Sequence, residues 1–345
     1  MKARTKEIIR DGFGSLVSNA SALRGAKAGP LWLTIVMFFL AILLPIIPLF
    51  VSQATTNGST FLTTYSYGLE RNVTLLANDL KENRNVEFEI DSDHLLTVRE
   101  NGNVVDYAMY GYVNPFAGRL NEKTNQFDLM LYISDATISA EKGTVIDLIS
   151  QQYYSKDSIE RGVAGDLYRP SFIVLFKDGV YVGIYSNNGT GILTHSSIGD
   201  FKTIEPNNHC LETFLTVKDQ EKNVYSEAYC NGVYANFKAF LDKSYETLRI
   251  KNMWVNSAIY FGIFFGVSFF MGLLMFLLTR GKNNPNNYFS LWLCLKIQGR
   301  LSFCPGLITL IIGFFLTSQA PLIFIMTVGL RVMWISMKEL RPIQG

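Results

Sequence analysis

The sequence WVNSAIYFGIFFGVSFFMGLLMFLLT, residues 254–279, decides the fold of this chain. It contains no charged residue, and at 1.5 Å of rise per residue it is long enough to cross the roughly 30 Å hydrocarbon core of a bilayer. Residues 31–51 form a second uncharged run of spanning length. The chain is therefore predicted to be fastened in a membrane at two places, with the residues between them held on one side.

Two further apolar runs follow, residues 303–316 and 321–335, joined by the turn Thr317-Ser318-Gln319. Both are short, so snorkelling by Arg300 and Lys338 is expected to help fit them to the bilayer. The predicted organisation is a basic cytoplasmic tail (1–30), a transmembrane helix (31–51), an extracytoplasmic domain (52–252), a second transmembrane helix (253–279), a cytoplasmic basic loop with an interfacial helix (280–300), transmembrane helices 3 (301–317) and 4 (320–337), and a cytoplasmic tail (338–345).

Charge predicts the orientation of these segments. Residues 1–30 carry six Lys/Arg and two Asp/Glu. Residues 52–252 carry 18 Lys/Arg and 26 Asp/Glu, and residues 280–345 carry seven Lys/Arg and one Asp/Glu. Lys and Arg are enriched in cytoplasmic segments of membrane proteins. We therefore expect a multi-pass protein of the cell membrane with both termini cytoplasmic. The net negative central domain disfavours nucleic acid as a partner.

The N-terminal region leaves two interpretations open. Apolar residues at roughly helical spacing in residues 8–17 are typical of a membrane-surface amphipathic helix, and a poorly ordered basic tail explains the composition equally well. Residues 31–51 are interpreted as an uncleaved signal anchor, since the apolar run is longer than the core of a typical cleaved signal peptide.

The central domain is predicted to be α+β with an antiparallel sheet. Periodic apolar residues predict helices over 61–82 and 225–249, the latter running into the spanning helix. Asn101-Gly102 and Asp178-Gly179 lie between alternating runs and predict two hairpins with type I′ turns. Residues 127–133 are predicted to form another strand, and residues 145–150 either a strand or a helical turn.

Three residues of the apolar segments are candidates for packing or coupling. Gly262 and Gly266 form a G-x-x-x-G pair, which allows close helix packing in lipid, either in a homo-oligomer or against residues 303–316. Arg331 is the charge that lies well inside an apolar run. It lies about two turns from the cytoplasmic end, so a snorkelling role is favoured over a coupling or partner-binding role.

The central domain contains few candidates for chemistry. Cys210 and Cys230 are its only cysteines and form a possible disulfide. Its histidines (His94, His195 and His209) lack metal-site spacing and are interpreted as ordinary surface or turn residues. The acids Glu87, Glu89, Asp91 and Asp93 lack the pattern of a calcium loop, and the alternation in residues 86–90 explains the glutamates as the wet face of a strand.

No phosphate-binding loop or nucleophile elbow occurs in the sequence, and the cytoplasmic pieces are short. We therefore expect no catalytic residues, no metal, no cofactor and no enzymatic activity.

The C-terminal block carries a resemblance. Gln298-Gly299-Arg300-Leu301-Ser302, then Pro305-Gly306-Leu307-Ile308 and a helical hairpin, resemble the end of a family of Gram-positive membrane proteins labelled maltodextrin-utilisation or accessory proteins. Members are often encoded beside maltose-type ABC importers and share the order of one span, an outer domain and a cluster of spans. The resemblance implies a transport-associated context and assigns no catalytic residue.

Two functions are consistent with these observations. One is a non-enzymatic accessory protein whose outer domain contacts an ABC importer permease or its binding protein and whose spans pack against partner helices in the lipid bilayer. The other is an extracytoplasmic ligand sensor that signals through its membrane helices to a separate partner.

Overall fold

The computed structural model describes residues 10–11, 13–63, 69–105, 114–121, 126–152, 170–185, 193–206, 223–280 and 284–340. The chain divides into two compact units. Met1–Thr55 together with Lys251–Gly345 form the first, named the helical unit here. Thr56–Ile250 form the second, named the sheet unit.

The helical unit is built from short and long helices. Its helices are α1 (Asn19–Ala28), α2 (Leu31–Leu43), α3 (Ile46–Thr55), the C-terminal part of α7 (Glu227–Thr279), α8 (Leu291–Leu301), α9 (Phe303–Gly313) and α10 (Ala320–Lys338), with a 3₁₀ turn at Thr317–Gln319. Serine side chains cap two of them: Ser18 accepts a hydrogen bond from the Ser21 amide, and Ser290 accepts one from the Leu293 amide. Such caps satisfy amides that have no partner within the helix.

Within the described residues, four helical segments are long and apolar enough to span a membrane: Leu31–Thr55, Glu227–Thr279, Leu291–Gly313 and Thr317–Lys338. The predicted number of spanning helices is confirmed at this level. The third segment begins earlier than the expected residues 301–317. Ser302, between α8 and α9, keeps helical dihedral angles, so the region expected to be an interfacial helix continues into the span.

Residues 19–28, expected within a basic tail, form a packed helix. Ser21, Ala22, Gly25 and Ala26 of α1 are buried. Small side chains at this spacing let a helix approach a neighbour closely. In the core of the helical unit, Ala22 and Ala26 lie with Ile297, Leu301 and other residues of α8 and α10.

The described part of the sheet unit contains two sheets. Its elements are α4 (Thr60–Thr63), α5 (Leu69–Asn78) with a π-helical turn at Asp79–Asn83, β1 (Val86–Ile90), β2 (Leu96–Glu100), β3 (Asn103–Val104), β4 (Asn114–Asn121), β5 (Gln126–Ile133), α6 (Ile138–Gln152), β6 (Ser171–Phe176), β7 (Gly179–Tyr185), β8 (Leu193–Asp200) and the first part of α7. The strand orders are β1-β2-β3 and β4-β5-β6-β7-β8.

The five-stranded sheet is mixed, so the expectation of an antiparallel sheet is wrong in one respect. Strands β5 and β6 are parallel, with Leu129 opposite Ser171 and Ile133 opposite Leu175. A parallel pair needs a long crossover connection. Helix α6 lies in this connection, and it forms where the sequence left residues 145–150 as strand or helical turn.

Both faces of this sheet are buried. One face contributes Leu131 and Val182 to a core that also contains Val233 and Phe237 of α7. The other contributes Tyr132 and Phe172 to a core completed by residues of α6. Because successive strand residues point to opposite faces, every residue of β7 is buried, and its sequence GVYVGIY shows no polar alternation.

The two predicted hairpins form with different turns. Asn101 and Gly102 have φ angles of 51° and 80°, as a type I′ turn requires. In the second hairpin Phe176 pairs with Gly179, so the turn is Lys177-Asp178. Neither Lys177 nor Asp178 has a positive φ angle, which a type I′ turn requires at both positions. The type I′ prediction at that turn is therefore wrong.

Candidate functional site

The helical unit contains a fully buried charge. Arg300, on the last turn of α8, is 1% exposed and is the largest fully buried side chain of the described residues. The snorkelling expected of this residue is wrong, because its head group is covered by protein. Removing a guanidinium from water costs several kcal/mol unless surrounding groups compensate.

Residues of α1 and α2 contact this guanidinium. Arg300 Nε donates to Thr34 Oγ1 over 3.0 Å. A Cβ atom at Gly25 would collide with Arg300 Nη1, and one at Gly29 would lie 2.6 Å from Nη2. Arg300 therefore lies against the C-terminal end of α1, where the helix dipole favours a cation. The two glycines leave the space that it occupies.

Two buried polar atoms beside α1 have no hydrogen-bond partner among the described residues. They are Arg300 Nη2 and Asp11 Oδ1. Asp11 is the acid whose charge acts on Arg300, although no ion pair joins the two side chains.

The neighbouring residues of the C-terminal block are also closely packed. Gln298 Nε2 donates to Ser302 Oγ over 2.9 Å, and Ser302 Oγ donates to the Gln298 carbonyl. A Cβ at Gly299 would lie 3.2 Å from Phe38 Cβ, and one at Gly306 would lie 2.6 Å from the backbone oxygen of Ala41. These residues hold α8 and α9 against α2.

Arg331 is bonded within the chain. Its Nε donates to Asn19 Oδ1 over 3.1 Å, its Nη1 to the Leu301 carbonyl over 3.0 Å, and its Nη2 to the Ser15 carbonyl. The side chain joins α10 to α8 and to the N-terminal helical residues. Arg331 thus has a packing role within the chain. Its predicted snorkelling and the alternative of coupling to a partner both stay predictions.

The bond to Leu301 has a reason in the sequence. In an α-helix the carbonyl of residue 301 accepts from the amide of residue 305. Residue 305 is proline, which has no N–H to donate. The Arg331 guanidinium therefore donates to the Leu301 carbonyl in place of the backbone N–H that Pro305 lacks.

Gly262 and Gly266 face open space. A Cβ at either position would meet nothing within 4 Å. Within the described part of the chain these glycines are therefore not packed against 303–316, and packing against a partner or a second copy stays a prediction. Gly272 of α7 is closely packed, since a Cβ there would lie 2.7 Å from Leu295 Cδ2.

Sequence reasoning missed Gly25 and Gly29, although they also form a G-x-x-x-G pair. Because this pair lies outside the apolar runs, no local pattern singles it out as a packing site.

The cysteines and histidines predicted as candidates in the sheet unit are not brought together into one site among the described residues. Cys230 is buried with a free thiol, which donates to the Val224 carbonyl over 3.4 Å. Cys210 and His209 lie outside the described residues, so the disulfide stays a prediction. His94 is in a turn with φ of 60°, as expected of a turn histidine. His195 lies on β8 opposite Ile184.

The acidic run has structural roles. Glu89 lies 3.5 Å from Arg99 on the neighbouring strand. Asp91 Oδ1 accepts from the amides of Asp93 and Leu95, which fixes the turn before β2. Within the described ranges, no three His, Cys, Asp or Glu side chains are grouped as a metal ion would need.

Two tyrosines of the sheet unit have raised pKa values. Burial raises the pKa of Tyr234 well above its usual range, and the charge of Glu70 raises it further. Burial also raises the pKa of Tyr181, opposed by a hydrogen bond with Ser196. Both stay protonated at neutral pH, so neither is prepared to act as a base.

No family model matches the chain, and comparisons with curated proteins and with solved structures also give no match.

Proposed function

We propose that this protein is a non-enzymatic accessory protein of carbohydrate uptake, associated with a maltodextrin-type ABC importer in the cell membrane. The supporting observation is the position of the residues that carry the family resemblance. Gln298, Arg300 and Ser302 are buried polar residues of the helical unit, and Gly306 lies against α2. These residues pack the helices against one another, so their pattern is tied to the fold of the unit, and this supports the family resemblance.

The proposed orientation places both termini in the cytoplasm and the sheet unit outside the cell. Its basis is the surplus of Lys/Arg in residues 1–30 and 280–345 against the acidic residues 52–252. In this orientation the sheet unit faces the compartment in which an importer receives its substrate-binding protein.

The proposed partner contact within the bilayer uses the open face of α7. Gly262 and Gly266 lie on it, together with the exposed side chains of Ile263 and Phe265. A neighbouring helix can approach closely at such a pair because no side chain intervenes. The partner is an importer permease in the first instance and a second copy of this chain in the alternative.

The test is affinity purification of the full-length protein from its native host in mild detergent, followed by quantitative mass spectrometry. We expect stoichiometric recovery of an ABC permease or its binding protein. The double variant Gly262→Leu, Gly266→Leu is expected to lower that recovery. Leu330→Phe, which adds bulk at an exposed position of α10, serves as the matched control. Recovery of the protein alone contradicts the accessory proposal.

A sensor function is the second proposal, favoured by one observation. The single helix α7 supplies Val233 and Phe237 to the core of the sheet unit and Phe264 and Met275 to that of the helical unit. A ligand that shifts the first part of α7 would thereby act on the second. Binding of a sugar or peptide to the full-length protein, measured by calorimetry in detergent, supports this proposal. Silence across a broad panel contradicts it.

A further inference from the structure

The ends of several helices meet at one end of the helical unit. Asn284 Nδ2 donates to the carbonyl of Leu278, near the end of α7, and to that of Leu340, just beyond α10. Lys27, near the end of α1, donates to Tyr288 Oη over 3.1 Å. These bonds gather the ends of α1, α7 and α10 around the loop that precedes α8.

Three exposed cations at this end each lie over an aromatic ring. Lys27 Nζ is 4.6 Å from the centre of the Phe289 ring, the Arg280 guanidinium carbon is 4.4 Å from that of Phe276, and Lys338 Nζ is 4.8 Å from that of Trp334. A ring face attracts a cation electrostatically and restrains its position. Lys27, Arg280 and Lys338 are named the cationic collar here.

Exposed amphipathic aromatic residues accompany the collar. Tyr288, Trp292 and Trp334 are 65%, 55% and 57% exposed. Tyrosine and tryptophan are enriched where lipid chains meet head groups, because each combines an apolar ring with a polar atom. Exposed side chains of this kind are typical of the depth at which lipid head groups lie.

The collar charges are not neutralised by the described carboxylates. The ion pairs that the structure shows between described residues, such as Arg84 with Glu100 and Lys243 with Glu246, lie in the sheet unit. In the sequence after residue 279, Glu339 is the sole acid. The collar is thus a concentrated positive surface beside exposed aromatic rings.

We propose that the cationic collar binds the head groups of anionic phospholipids of the phosphatidylglycerol class. Lys27, Arg280 and Lys338 donate hydrogen bonds to the phosphate oxygens, and Tyr288, Trp292 and Trp334 contact the glycerol and the upper acyl chains. The inference rests on the proposed membrane insertion and is independent of any transport partner.

The test uses the full-length protein in phosphatidylcholine vesicles titrated with dansyl-labelled phosphatidylglycerol. Energy transfer from tryptophan reports binding, because two of the four tryptophans, Trp292 and Trp334, lie at this end. Each cation near an anionic surface strengthens binding about fivefold. We therefore expect Lys27→Gln to weaken binding about fivefold and the triple variant with Arg280→Gln and Lys338→Gln to weaken it on the order of 100-fold.

Two control variants separate charge from folding. Lys251→Gln removes an exposed cation at the other end of the apolar part of α7 and is expected to leave binding unchanged. A triple variant that keeps the charges (Lys27→Arg, Arg280→Lys, Lys338→Arg) is expected to retain binding. An unchanged affinity in the Gln triple variant, or an equal loss in Lys251→Gln, overturns the proposal.

Inorganic phosphate distinguishes a lipid site from a simple phosphate site. At the concentration of the labelled lipid it is expected not to displace the lipid, and displacement overturns the assignment to lipid. Because the purified protein is measured without any partner, failure of this test leaves the accessory function untouched, and failure of the co-purification leaves the lipid site untouched.

Discussion

Arg331 and Pro305 are predicted to be energetically coupled through the carbonyl of Leu301. Arg331→Met removes donors to Leu301, Asn19 and Ser15. A buried acceptor left without a partner costs about 1–3 kcal/mol. Since replacing the half-buried charge by an apolar side chain offsets part of this loss, we expect Arg331→Met to destabilise the helical unit by about 2–4 kcal/mol.

Pro305→Ala changes this cost in a defined way. Alanine at position 305 supplies the N–H that proline lacks, and that amide is positioned to bond the Leu301 carbonyl. In this background Arg331→Met should cost about 1–2 kcal/mol less than in the native protein. The double-mutant cycle isolates this difference from the loss of the other two bonds.

The assay is SDS-induced unfolding in mixed micelles, followed by modification of the Cys294 and Cys304 thiols. Cys294 is fully buried and Cys304 is partly buried, so both become more reactive when the helical unit opens. Cys210 and Cys230 are replaced by alanine so that no thiol of the sheet unit contributes to the modification signal. A coupling energy smaller than about 0.5 kcal/mol, the usual limit of additivity, would refute the reasoning.

Three further predictions follow from individual positions. Gly306→Ala forces α9 away from the Ala41 backbone and should destabilise by about 1–2 kcal/mol, whereas Gly262→Ala meets nothing within 4 Å and should be neutral or slightly stabilising in the same micelle assay. Gly102→Val places a branched side chain at φ of 80° and should lower the free energy of unfolding of the sheet unit by about 1–3 kcal/mol, measured by thermal unfolding followed by circular dichroism. The pKa of Tyr234 is raised in the folded state, so its contribution to stability is full below pH 10, the ordinary tyrosine pKa, and declines as pH rises above it; Tyr234→Phe should flatten this decline, and an unchanged slope contradicts the assignment.

The sequence predicted the parts of the fold that depend on local pattern. The apolar length of residues 31–51 and 254–279 was sufficient to identify helices long and apolar enough to span a membrane. The pair Asn101-Gly102 was sufficient to place a hairpin, because few residues accept the φ angles that its turn needs.

The parts that the sequence did not predict depend on contacts between distant residues. Whether β5 and β6 run parallel depends on α6, and residues 145–150 carry too short an apolar pattern to identify that helix alone. The continuous helix through Ser302 was not predicted because residues 289–297 alone are too short to span a membrane. Pro305 does not interrupt it, since a proline in the first turn of α9 is tolerated.

The candidate site was only partly visible in the sequence. Arg331 was recognisable as a charge inside an apolar run. Arg300 was interpreted as a residue at a helix end, and its burial depends on Gly25 and Gly29, about 270 positions earlier in the chain. No pattern local to residue 300 indicates that α1 covers it.

The measurement that tests the account most directly is the sidedness of the two units in intact cells. Single cysteines are introduced at Asn103 and Glu339, both exposed, in a variant that lacks the four native cysteines. The cells are treated with a membrane-impermeant maleimide. We predict labelling of Asn103→Cys in intact cells and of Glu339→Cys only after permeabilisation. Labelling of Glu339→Cys in intact cells, with protection of Asn103→Cys, would contradict the proposed orientation and the outer contact that depends on it.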